Sequence, residues 1–299
     1  MTGPELMLPP SVSEALLGIA ERNTLESLEA RALDTTQRRA LAEGLSSFQW
    51  RAFLDELSRV WSAFDHAVVR SCPALNDERA ALLLALSLDS EFKPYRGCKI
   101  VKHFKMSPWT TELSQSLRDG HFHTDLNTAQ EPPRVTLIHC RVPDPTQGYG
   151  VLRVARLCDL LAELRQQGAE ETLRLLLSDT VDMVDDRAQG SWSGVMASES
   201  AIRFHPETLR AAQRRGARFS EPLEEQLNAI HKAALIVSQP IELGMGDALL
   251  VSNTRALHYR GECTVQYLEF PRHFQARQIH VLHLLHEPLW PESNPRQST

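Results

Sequence analysis

The sequence predicts an α+β protein whose core is mainly β, of β-sandwich or jelly-roll type, decorated by helices. Three observations predict it. Residues 11–90 place apolar side chains at helical spacing. Five later segments are short, rich in β-branched and aromatic residues, and bounded by Pro, Gly or polar clusters. Their order, a helical start, then strands, a long helical insertion and more strands, does not alternate as a parallel α/β fold requires.

The elements follow in chain order. Phe53, Leu57, Val60, Trp61 and Phe64 recur at steps of three and four, which puts them on one face of a helix that packs on the protein's own core. Asn76-Asp77 precedes the apolar run 80–88 as a cap and first turn. Segments 99–104, 135–139, 248–251, 265–270 and 279–284 read as strands. Stretches 156–164 and 221–234 read as helices that cover a sheet. We divide the chain into an N-terminal helical region, 1–95, packed on a mainly β, jelly-roll-type core, 96–299, with a helical insertion at about 156–235, all in one structural domain.

Composition narrows the function classes. The 299 residues are 42% hydrophobic and 23% charged, as in ordinary globular proteins. The formal net charge of −6 argues against broad binding of a nucleic-acid backbone. No basic n-region with a long apolar stretch opens the chain, and the most apolar run is too short to cross a bilayer. Five cysteines without CxxC spacing imply neither a disulfide framework nor a zinc ribbon, so a reducing cytoplasm is the expected home. No GxGxxG or GxxxxGK[ST] follows a strand, and no nucleophile signature is present.

The informative segment is Gly120-His121-Phe122-His123-Thr124-Asp125-Leu126. In extended chain, residues two apart share a side, so His123 and Asp125 can address one ion. An imidazole and a carboxylate are two members of the two-His-one-carboxylate facial triad, which binds Fe(II) and leaves positions open. Alone, HxD is a weak signal. A second segment adds to it, from Gly246-Asp247 through an apolar strand to Asn253-Thr254-Arg255-Ala256-Leu257-His258-Tyr259-Arg260.

Together the two segments resemble the Fe(II)/2-oxoglutarate-dependent oxygenases, in particular the taurine dioxygenase and clavaminate synthase-like superfamily. These proteins carry HTD or HTE, a proline-led strand, and a distant GD…N-x-R-x-x-H-x-R. Here Pro132-Pro133 leads Val135-Thr136-Leu137-Ile138, and the second motif is whole, so the resemblance covers roughly residues 96–285. It implies a double-stranded β-helix (jelly roll) with His123, Asp125 and His258 as iron ligands. The 133 residues from Asp125 to His258 accommodate this superfamily's insertion. It implies 2-oxoglutarate as co-substrate and O₂ as oxidant, with succinate and CO₂ formed as an unactivated C–H bond is hydroxylated. Asp125 argues for hydroxylation, because related halogenases carry a small residue in its place. The acidic residues Asp179, Asp182, Asp185 and Asp186 read as a solvated face, but with the spacing they tilt the substrate towards an amino acid or a metabolite derived from one.

The resemblance also implies an arginine beyond the second His to hold the distal carboxylate of 2-oxoglutarate, because the planar fork suits a bidentate grip. Arg272, 14 residues after His258, is the first choice, and Arg277, 19 after it, is a second contact or the true anchor. Relatives add a Thr in the stretch that corresponds to Gly148–Arg153, where only Tyr149 offers a hydroxyl. His280, His283 and His286 read as half-exposed histidines on opposite sides of a strand. His121 is expected at the mouth of the site, Arg203 is a weak candidate for a substrate carboxylate, and Arg260 reads as structural. The alternative is a cupin-type metal-binding protein or a 2-oxoglutarate-independent iron enzyme. His121-Phe122-His123 fits a cupin's start, but Asn127 stands where its Glu should follow. The expected partner is a small molecule, with no nucleic acid or membrane, and oligomeric state is left open.

Overall fold

A computed structural model describes residues 3–43, 48–73, 77–88, 91–95, 97–186 and 190–287. The N-terminal part holds β1 (Glu5–Met7), α1 (Pro10–Glu21), α2 (Leu25–Leu33), α3 (Thr35–Glu43), α4 (Phe48–Phe64), β2 (His66–Arg70) and α5 (Arg79–Leu86). Then come β3 (Lys102–Lys105), β4 (Val135–Val142), β5 (Leu152–Arg156), α6 (Leu157–Gln166), α7 (Glu170–Leu177), β6 (Thr180–Asp185), β7 (Gly190–Val195), α8 (Pro206–Arg214) and α9 (Leu223–Val237). The chain continues with β8 (Pro240–Ile241), β9 (Ala248–Ser252), β10 (Ala256–Arg260), β11 (Val265–Glu269), β12 (His273–Ala276) and β13 (Gln278–Leu284).

A six-stranded sheet runs β1-β2-β9-β4-β13-β3, antiparallel except for the parallel pair of β1 with β2. Its strands alternate in the side they address. Leu137, Leu250, Leu282 and Leu284 meet the helical layer, packing with Leu57, Val60 and Trp61 of α4 and the Ala/Leu run of α5. Ile138, Cys140, Leu249, Val251, Ile279 and Val281 face the other way, towards Leu152, Val154 and Ala256 of a three-stranded sheet, β10-β5-β8. Beyond that smaller sheet, Ala155 and Leu257 pack on the apolar faces of α6, α7 and α9. Both sheets are therefore covered on both faces, which is why their strands read as continuous apolar runs rather than as alternation.

Several expectations need correction. Residues 11–90 are not all helical: β2 lies among them, because His66–Arg70 is β-branched at its centre and pairs with β9 along a buried edge. The insertion is not all helical either, since β6 and β7 form a hairpin within it. Segment 265–270 does form a strand, but in a two-stranded hairpin with β12 that belongs to neither large sheet. Asn76 lies outside the described residues, while Asp77 accepts the Arg79 amide at 3.0 Å at the start of α5. Among the described residues no helix is long and apolar enough to cross a membrane.

Candidate metal centre and its surroundings

The segment 120–127 runs along β10, and the two meet residue for residue at one point. The His123 amide donates to the His258 carbonyl and the His258 amide to the His123 carbonyl, both at 3.1 Å. This reciprocal bridge sets the two rings side by side, with centroids 4.3 Å apart and planes tilted by 49°. Two residues on, Asn253 clamps the main chain of Asp125. Its Oδ1 accepts the Asp125 amide at 2.6 Å, and its Nδ2 donates to the carbonyls of Asp125 (3.0 Å) and Pro133 (2.9 Å).

The result brings His123, Asp125 and His258 together, with one ligand atom from each lying within 4.8 Å of the others. His123 Nε2 is 3.5 Å from Asp125 Oδ1, and His258 Nε2 is 3.5 Å from Asp125 Oδ2. His123 Nδ1–H donates to the His121 carbonyl at 2.7 Å, so its Nε2 presents a bare lone pair. Asp125 Oδ2 also accepts from Thr136 Oγ1 at 2.8 Å and from His283 Nε2 at 3.1 Å. Two neutral imidazoles and an oriented carboxylate are a donor set that fits Fe(II) or another first-row divalent cation.

The charges follow from this packing. Burial alone would raise the Asp125 carboxyl, but His258, His123 and His283 hold it well below the usual carboxylate range. Burial pushes His258 down to about 3, helped by the charge of His123. Burial also pulls on His123, yet Asp125 outweighs it and raises that imidazole. A divalent cation at this point would take the place of a proton. His205 stands 4.8 Å from the His123 ring and is driven to about 3 by burial first and His123 second. Lys102 of β3 is lowered by burial, with the charge of Asp125 opposing.

Thr136, His205 and His283 were given no role by the sequence reading. His283 shares its side of β13 with Val281 and Ile279, so strand parity carried the signal once the inner face was known. The half-exposed reading of the strand histidines is corrected: His280 and His283 are buried, although on opposite faces of the sheet as alternation requires. His286 follows the strand, with a side chain 67% exposed.

The two arginines separate by burial. Arg272 is exposed at the turn between β11 and β12, where it lines an open depression with Trp109, Pro271 and Phe274. Arg277, at the head of β13, is 3% exposed. Its Nη1 has no hydrogen-bond partner, and burial lowers its pKa because no ion pair reaches it among the described residues. Gly150, from the stretch in which relatives carry a Thr, lies against it: a Cβ there would sit 2.7 Å from Arg277 Cδ. Tyr149 is 44% exposed.

The remaining candidates are engaged elsewhere. Arg203 donates to the carbonyls of Asn127 and Ala129 and stacks on Trp192. Arg260 ties the carbonyls of Leu113, Arg118 and Gly261. His121 meets Glu207 at 3.2 Å beside Arg210. Asn127 donates to Thr208. Of the acidic cluster, Asp186 pairs with Arg214 and Arg215, and Asp179 accepts from Ser220.

No protein-family profile matches the chain, and neither does any curated protein. Solved structures do match. An asparagine oxygenase in complex with Fe(II), 2S,3S-3-hydroxyasparagine and succinate superposes with a TM-score of 0.70 at 15% identity, covering 94% of this chain and 94% of that one. The non-heme iron oxygenase OrfP with Fe and alpha-ketoglutaric acid superposes with a TM-score of 0.66 at 16% identity, again covering 94% of both chains. The same enzyme with Fe, succinate and (3S)-hydroxy-L-Arg gives 0.65 at 16% identity over 94% of this chain and 93% of that one. The chain shares the fold of these proteins over nearly its whole length.

Proposed function

We propose that this protein is a non-haem Fe(II)- and 2-oxoglutarate-dependent oxygenase that hydroxylates an unactivated C–H bond of a small molecule, an amino acid or an amino-acid-derived metabolite. The observation that carries the reading is the convergence of His123, Asp125 and His258 on one point. It favours the facial triad over the cupin alternative, because His121 turns to Glu207 and Asn127 to Thr208. The two sheets facing each other across one apolar interior support a double-stranded β-helix. The entry of β1 and β2 into the larger sheet supports a single structural domain.

In this reading the Nε2 atoms of His123 and His258 and one oxygen of Asp125 hold the iron. Thr136 and His283 hold the other carboxylate oxygen, which fixes the carboxylate's orientation. Arg277, buried and unpaired, takes the distal carboxylate of 2-oxoglutarate, where a charge-assisted fork gains most from the low dielectric. Arg272, exposed on its hairpin, takes no part. Bound iron with 2-oxoglutarate and O₂ supplies the oxidising power, converting the co-substrate to succinate and CO₂ and delivering one oxygen atom to the substrate. The chain's share is to place one C–H bond and to exclude water. The substrate class rests on the structural neighbours, whose complexes hold hydroxyasparagine and (3S)-hydroxy-L-Arg. Five free cysteines, three of them buried, suit a reducing cytoplasm.

The test is anaerobic. Fe(II) and then 2-oxoglutarate are added to the protein and to His123→Ala, and the visible charge-transfer band of the chelate is recorded. A band that needs 2-oxoglutarate and is lost in the variant supports the reading and opens a screen of amino acids by succinate release. Iron binding without any band moves the 2-oxoglutarate-independent reading to the front.

A further inference from the structure

Three histidines from adjacent strands lie in a row across the larger sheet. His280 of β13 is directly opposite His103 of β3 on one side and His139 of β4 on the other. The row is on the helical face, since His280 shares parity with Leu282 and Leu284, whereas His283 points through the opposite face to Asp125. The sheet itself therefore separates this cluster from the triad. Glu78, at the start of α5, completes it: one ligand atom from each of Glu78, His103 and His280 lies within 4.8 Å of the others.

The hydrogen bonds leave lone pairs where a cation would need them. His103 Nε2 is 3.3 Å from Gln278 Oε1; an amide oxygen accepts, so Nε2 carries the hydrogen and Nδ1 is bare. That Nδ1 lies 3.8 Å from Glu78 Oε1. His280 Nδ1 and His139 Nδ1 are 3.4 Å apart, which uses one nitrogen of each ring. The Nε2 atoms of both rings are buried and have no partner. If His280 donates from Nδ1 to His139, its Nε2 presents a bare lone pair, and His139 becomes the outer partner that orients a metal-bound imidazole. Buried polar atoms rarely go unpartnered, and of these two rings His280 lies beside the Glu78 carboxylate. The Glu78 and His103 side chains are 23% and 34% exposed, so the cluster opens to solvent.

We propose that Glu78, His103 and His280 form a second metal site, distinct from the triad, which takes Zn²⁺ or a similar borderline divalent cation. Two imidazoles and a carboxylate match the ligand preferences of such ions, with water in the fourth place. The site ties the start of α5 to the edge strand β3 and its neighbour β13, and its role is to hold that edge.

The test counts zinc. Equilibrium dialysis against buffered Zn²⁺, read by mass spectrometry, is run on the full chain, on His103→Ala, on Glu78→Gln and on a His123→Ala/His258→Ala background. The expected result is two equivalents in the parent, one in His103→Ala and in Glu78→Gln, and one in the triad-disabled chain. In that last background the thermal midpoint rises with zinc, and at a free concentration 100 times Kd the folded-to-unfolded ratio gains about 100-fold. The same zinc stoichiometry in the parent and in His103→Ala overturns the proposal, whether or not the triad also takes zinc. The parent against His103→Ala decides the matter even if the triad-disabled chain fails to fold.

Discussion

Replacing Arg277 with Met separates an anchor from a structural residue, because the two roles predict opposite signs. Arg277 is 3% exposed, its Nη1 has no partner, and no ion pair reaches it among the described residues. As the anchor of a carboxylate it would make two charge-assisted hydrogen bonds in a dry setting. At about 1.5 kcal/mol or more for each, their loss costs about 3 kcal/mol, or roughly 100-fold in the Kd of 2-oxoglutarate. In the ligand-free chain the same substitution removes a buried, uncompensated charge and keeps a long apolar stem, so the folded state should be unchanged or more stable by about 1 kcal/mol. Anaerobic titration of 2-oxoglutarate onto the iron-loaded protein reads the first quantity, and urea unfolding of the metal-free protein reads the second. Arg272→Ala is the control, expected to leave both within error because the residue is exposed. Wild-type affinity in Arg277→Met would refute the argument and turn attention to Lys102, the cation whose charge state senses Asp125. A large loss of stability with no change in affinity would make Arg277 structural.

Other outcomes follow from the same geometry. Gly150→Ala places a Cβ 2.7 Å from Arg277 Cδ at a φ of +63°, so it should cost about 1–2 kcal/mol in urea unfolding and also weaken 2-oxoglutarate; unchanged affinity would show that the guanidinium can move aside freely. Asn253→Ala strips one acceptor and two donors from the clamp on Asp125 and Pro133, and should lower iron affinity about 10–100-fold and stability by about 2–3 kcal/mol. An iron titration that matches the parent would remove Asn253 from the site. Burial lowers the pKa of His66 from its ordinary 6.5. Below that pH the unfolded chain therefore binds a proton that the folded chain refuses, and stability falls as the medium is acidified, by at most about 1.4 kcal/mol per pH unit for this one group. His66→Asn should flatten the pH dependence of the unfolding midpoint, and an unaltered slope would assign the effect to other histidines.

Much of the site was legible along the chain because its signal is local. His123 and Asp125 are two residues apart in extended backbone, so their shared side follows from strand periodicity alone. The approximate positions of β4, β9, β11, β13, α6 and α9 were legible too, since β-branched runs and helical stripes are properties of short windows. The stripe on α4 packs as its spacing indicates, with Phe53, Leu57, Val60 and Trp61 all in the core.

What the sequence could not supply is whatever depends on which surfaces meet. Arg272 and Arg277 are five residues apart and chemically identical; the difference between them is a hairpin that leaves one in solvent and a strand that buries the other. His280 and His283 looked half exposed because a strand covered on both faces carries no alternation to reveal its cover. Only the pairing of β13 with β3 and β4 aligns His280 with His103 and His139, and only the sandwich turns His283 towards Asp125. The residue types of the candidate ligands and their local spacing were therefore determined by the sequence itself. Burial, pairing of distant residues and which of the two arginines is buried were decided by tertiary structure, because they arise from contacts between segments that are far apart along the chain.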